Sequence, residues 1–143
     1  MWVLLAISAS LFWGLTYVFN EQVYKHISVI TSLALASFVI FITMIAASYF
    51  SDHLKPDLLA IASSRRLLLY VIAGIIALLV AELFIGFSIT TKSATLAGLV
   101  EISYPIFIAL FAYLFFKEKI SLPTIIGAAL VFCGIGVIYF FNK

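Results

Sequence analysis

Two glutamates, Glu82 and Glu101, lie inside long apolar runs of the sequence. An acidic side chain near the centre of a bilayer costs roughly 2.5–3.5 kcal/mol on insertion scales, so such groups face a bundle interior or a wet cavity. The turn between the two runs centres between Thr91 and Lys92, and each glutamate stands nine or so residues from it. At a rise of ~1.5 Å per residue, an antiparallel helical hairpin carries both to one depth, off the midplane toward Lys92. If they face each other, like charge and loss of water favour one carboxyl keeping its proton, which would make it a proton carrier. The structural alternative is a protonated glutamate that bonds a neighbouring helix and serves as packing glue.

Glu101 has the richer surroundings. At helical spacing, Ala94, Ala97, Gly98, Glu101, Pro105, Ala109 and Ala112 share one face. Small residues in such a stripe admit another backbone or leave room for a cavity. Pro105 has no N–H to give the carbonyl of Glu101, so a kink and a freed polar group are expected beside the carboxylate. A packing kink without function is the competing reading. In the first apolar run, Ser10, Trp13, Tyr17 and Asn20 follow one another at steps of three, four and three, making a mixed aromatic and polar face. Tyr17 and Asn20 also suit a membrane interface, whereas Trp13 lies deeper and could line a pathway. Glu101, Glu82, Pro105, Trp13, Ser10 and Tyr17 are the candidate substrate or proton pathway. Gly127 and Gly134, seven apart on the last run, are explained by tight helix packing.

The elements that must position these residues follow from hydropathy. Of 143 residues, 66% are hydrophobic and only 10% charged, with a mean hydropathy of +1.29. A soluble domain averages about 25% charged residues, so this chain could not cover its own apolar surface in water. A spanning helix needs about 20 apolar residues. Five runs qualify: about 2–19, 29–50, 67–89, 94–116 and 123–141. They lack period-two alternation and are twice a barrel strand's length, so the expected fold is an all-α integral membrane protein, with 1–143 as a single domain. Pro56-Asp57 signals a short interfacial turn in the polar stretch from Ser51 to Arg66. The first run has no Lys or Arg before it and is read as a retained helix, not a secretory signal.

An odd number of spans puts the termini on opposite sides. Lys55, Arg65, Arg66, Lys117 and Lys119 fall on the amino-terminal side, against Lys25, Lys92 and Lys143 on the other. That bias favours a cytoplasmic amino terminus but is weak enough to permit insertion both ways. The net charge of +2 is too small and scattered for nucleic acid. Cys133 is read as a buried hydrophobe, and His26 and His53 as solvated loop residues. The sequence carries no zinc-type Cys/His set, phosphate loop or nucleophile elbow, so no metal, cofactor or enzymatic activity is expected.

Several motifs then come in order. The first run reads Leu11-Phe12-Trp13-Gly14-Leu15-Thr16. The last third reads Glu101-Ile102-Ser103-Tyr104-Pro105-Ile106-Phe107, then Phe116-Lys117-Glu118-Lys119-Ile120, then Ile126-Gly127-Ala128-Ala129-Leu130 and Gly134-Ile135-Gly136. Over almost its whole length this resembles one EamA-type repeat of the drug/metabolite transporter superfamily. There are departures. Ser37 stands near the place where that family often has arginine, so an arginine-dependent anion site does not carry over. Three residues separate Glu101 from Pro105 where the family's pair is adjacent, and Lys117 replaces a small residue before Glu118.

The resemblance implies a multi-pass transporter of small solutes or metabolites in a cell membrane, the prokaryotic cytoplasmic membrane in particular. Most members carry two repeats of opposite topology, and inverted repeats place the site at their interface. This chain reads as one half of that inverted-repeat architecture. The expected partners are therefore the lipid bilayer, a small-molecule substrate, and a second copy in an antiparallel homodimer or a homologous partner. A proton-coupled exporter working through Glu101 is the leading expectation. A non-transporting membrane subunit or scaffold is the alternative. Small four-helix multidrug proteins fit less well, since their essential acid lies in the first helix and none stands between Trp2 and Asn20 here.

Overall fold

Several serine and threonine hydroxyls in this apolar chain bond the backbone of their own helix. Ser10 Oγ donates to the Ala6 carbonyl at 3.1 Å, Thr16 Oγ1 to Phe12 at 2.9 Å and Thr43 Oγ1 to Val39 at 2.8 Å. Each bond returns a polar group to the helix that carries it, which a lipid environment demands because no water is there to take it. In the computed structural model, which describes residues 1–141, the described residues form helices and no strand. The helices are α1 (Trp2–Val23), α2 (Val29–Phe50), α3 (Leu54–Ser63), α4 (Arg65–Thr91), α5 (Ala94–Glu101), α6 (Tyr104–Phe116) and α7 (Leu122–Phe141). With α5 and α6 taken as one segment, five are long and apolar enough to cross a membrane. Lys143, which entered the charge comparison, lies outside the described residues.

The chain divides into two compact units, Gln22–Thr90 and the remainder. In the first of these, Ser28 caps α2 by accepting from the Thr31 N–H at 3.1 Å. The reversal after α2 takes Asp52 through the left-handed region, φ 58°. What was expected as an interfacial turn is the ten-residue helix α3, packed against α2. Pro56 sits in its first turn, where a missing N–H costs nothing. In α4, Gly86 is buried and admits Val29 and the Tyr24 hydroxyl.

The second unit holds α1 up to Glu21 and the chain from Thr91 onward, with α5 packed against α7. Large apolar side chains stay exposed along α6 and α7, Phe115 at 72% and Leu130 at 68%. In a bilayer that surface meets acyl chains, so its exposure carries no penalty.

Three helix limits differ from the hydropathy reading. The first helix runs through Asn20-Glu21 to Val23, and α4 takes in Arg65, Arg66, Thr90 and Thr91. Polar residues end an apolar run without ending a helix, and none of these is a breaker. The segment 94–116, expected as one helix, is broken at Ile102-Ser103. Its end is as expected. Lys117 closes α6 in the left-handed region, φ 57°, with its N–H on the Tyr113 carbonyl at 3.0 Å. Glycine occupies that conformation without strain, and lysine does not. Lys117→Gly is therefore expected to stabilise the protein by about 1 kcal/mol, less whatever the Lys117–Tyr113 cation–π contact contributes. A rise in thermal midpoint in detergent would show it, and a fall would mean that the contact outweighs the strain.

Candidate functional site

Trp13, Tyr17 and Glu21 recur at four-residue steps and so share a face of α1. The Tyr17 hydroxyl donates to Glu101 Oε2, joining residues 84 apart in sequence. Both side chains are half-buried. Gly98, one turn before Glu101, makes room for the ring: a Cβ there would stand 3.2 Å from Tyr17 Cδ2. The Trp13 ring lies 5.9 Å from that of Tyr17, tilted by 54°.

One turn further along α1, Glu21 Oε2 accepts the Ala94 N–H at 2.7 Å. Ser93 Oγ accepts the Leu96 N–H at 3.2 Å. Two of the free donors at the start of α5 are thereby satisfied, one of them by a negative charge at the positive end of the helix dipole. Tyr17 and Glu21 thus grip α5 at its last and first residues. That pairing makes the two helices antiparallel, with Ala94 and Ala97 buried. Glu21→Ala is expected to cost about 1–2 kcal/mol, with Glu21→Gln recovering part of it. Thermal unfolding in detergent measures both, and equal loss from the two variants would show that the acceptor oxygen does not matter.

Glu101 is also where the backbone changes. The Ile102 N–H bonds Gly98 at 3.2 Å in the α pattern, but the Ser103 N–H bonds Val100 at 3.2 Å and the Ile106 N–H bonds Ser103 at 3.0 Å, each three residues back. Pro105 is the second residue of α6. The expected kink is thus a full interruption, because proline belongs in a first turn and the chain starts a new helix around it. A carboxylate and an irregular backbone therefore share one position within a membrane-length segment.

The hydroxyl of Ser10 stays on its own helix. Glu82 belongs to the unit of α2–α4, where it is half-buried and lies close enough to Tyr24 to act on it electrostatically. Burial first, and then the Glu82 charge, push the Tyr24 hydroxyl above its ordinary value of 10.0. Tyr24 therefore stays neutral beside Glu82 and Gly86. Among the described residues no three His, Cys, Asp or Glu side chains gather as a metal site.

The sequence reading missed Glu21 and Tyr24. Glu21 stands just past the apolar run 2–19, although its four-residue step from Tyr17 is visible in the sequence. Tyr24 offered no signal beyond being an aromatic next to a turn.

Residues 1–140 match the EamA-like transporter family. The chain belongs to that family. No curated protein matches the chain. No solved structure matches it either. As an EamA-like protein it is a multi-pass membrane protein of a family that transports small solutes. The Trp-Gly pair at 13 and 14 and the glutamate–proline region at 101–105 fall within the matched residues. Gly14 itself has open space around it.

Proposed function

We propose that this EamA-like chain exports a small metabolite against proton entry, with Glu101 as the group that takes up and releases the proton. The observation that carries the reading is the hydrogen bond from Tyr17 to Glu101 at the break between α5 and α6. Irregular backbone at membrane depth is tolerated where it is buried in protein or lines a water-filled cavity, and transporters place ions and substrates at such interruptions. A carboxylate there exchanges a neutral for a charged form. Its tyrosine donor bonds the charged carboxylate more strongly than the neutral acid, whose carbonyl oxygen still accepts, so proton uptake and the strength of the α1–α5 grip are linked. Trp13 and Tyr17 supply the aromatic wall of the pathway, and Pro105 fixes where the helix breaks.

The whole chain acts in this reading as one five-helix repeat, half of an inverted pair. A second copy inserted with opposite topology supplies the other half, which the weak Lys/Arg bias permits. The membrane is the cytoplasmic membrane of a prokaryotic cell.

The test is transport by the reconstituted chain. Proteoliposomes holding a pH gradient and a pH-sensitive dye are challenged in turn with a panel of amino acids, amines and sugars. At least one compound is expected to collapse the gradient at a rate that scales with protein content. No response beyond protein-free vesicles across the panel, with labelled solute also failing to exchange, would favour a non-transporting subunit. Labelling of a carboxyl-terminal tag from both faces of the membrane is expected for opposed copies. Labelling from one face alone would end the dual-topology form.

A further inference from the structure

We infer that the groove between the end of α2 and α3 holds the headgroup and upper acyl chain of an aminophospholipid, phosphatidylethanolamine. The groove is lined by Tyr49, Asp52, Lys55, Leu58, Leu59 and Ala62, among others, all within the unit of α2–α4. The groove is open to the surface and has a volume of about 590 Å³, the size of a small-molecule site. Nothing in the transport reading uses it.

Its place in the fold brings it to lipid headgroups. Helix α2 ends at Phe50 and α4 begins at Arg65, and both are membrane-length apolar helices, so the ten residues of α3 lie at a membrane boundary. On α3, Leu54, Leu58, Leu59 and Ala62 recur at steps of four, one and three and form an apolar wall suited to an acyl chain.

The polar rim carries both signs. Asp52 enters through its left-handed turn, a conformation that aspartate tolerates better than most residues. Lys55 follows three residues later. The two side chains line one groove, yet among the described residues they make no hydrogen bond or ion pair with each other or with any other group. A base and an acid held near each other and unpaired complement a zwitterion: phosphate oxygens for the Lys55 ammonium, an ammonium for the Asp52 carboxylate. A phosphatidylcholine headgroup has the same charges but no N–H to donate. A phosphatidylglycerol headgroup has no cation for Asp52 and meets its negative charge instead, even with Arg65 and Arg66 following α3.

The full chain is placed in nanodiscs with equal amounts of the three lipids, extracted gently, and weighed by native mass spectrometry. Phosphatidylethanolamine is expected to be retained about tenfold over either other lipid, the factor that one charge-assisted hydrogen bond contributes. Asp52→Asn should erase the preference over phosphatidylcholine while keeping the turn. Lys55→Gln should lower retention of all three. Equal retention of the three lipids by the unaltered chain, a preference for phosphatidylglycerol, or unaltered selectivity in both variants would each overturn the assignment.

Discussion

Glu101→Gln is expected to reduce gradient-driven flux to the level of protein-free vesicles while leaving the thermal midpoint almost unchanged. Glutamine has the shape of glutamate, and its amide oxygen can still accept the Tyr17 hydroxyl, so the α1–α5 contact survives. What glutamine cannot do is exchange a proton. Loss of flux in a protein that still melts normally therefore reports proton chemistry, and loss of both would report packing. Two further variants separate the parts. Tyr17→Phe keeps the carboxyl and removes its donor, a hydrogen bond to a charged group worth about 1.5–3 kcal/mol, and flux should fall by about tenfold or more without vanishing. Glu101→Asp keeps the titrating group but shortens its reach by one methylene, and should fall between the other two. Undiminished proton-driven flux in Glu101→Gln would remove Glu101 from the mechanism altogether.

Gly86→Ala should destabilise the protein, by about 1–3 kcal/mol, although alanine is the better helix former. Two effects compete. Replacing a helical glycine by alanine gains about 1 kcal/mol in helix propensity. Against that, a Cβ on residue 86 would overlap Val29 Cγ1 and stand 3.3 Å from the Tyr24 hydroxyl oxygen. Val29 is only 3% exposed and is β-branched, so its side chain is stiff and has little space to turn into. The overlap should win. Gly74 is the internal control, since it lies on the same helix and a Cβ there meets nothing within 4 Å. Gly74→Ala should gain the propensity term alone. Adding Val29→Ala to Gly86→Ala should recover part of the loss, because the methyl groups in conflict are then gone. Thermal midpoints of the three variants measure this, and a stabilised Gly86→Ala would show that α2 yields freely.

Hydropathy was enough to place the spans. Apolar runs of membrane length are a local property, and a lipid solvent forces each run to satisfy its backbone internally, so five membrane-length segments followed from five runs. Their limits followed less well where polar residues without helix-breaking chemistry continued α1 and α4. The interruption at Ile102-Ser103 was half legible: Pro105 announced a disturbance, but its extent depended on the chain starting a fresh helix one residue earlier, at Tyr104.

The sequence by itself thus determined the membrane fold, the family, and Glu101 as the carboxylate beside a proline in a small-residue stripe. It could also show that Trp13 and Tyr17 share a face. Only the tertiary structure decided what that face meets. Tyr17 reaches across 84 residues to Glu101, and Glu21 across 73 to the first N–H of α5. Periodicity states which residues point the same way along one helix. It holds no information about the register of a second helix against it, which Gly98 sets by admitting the Tyr17 ring.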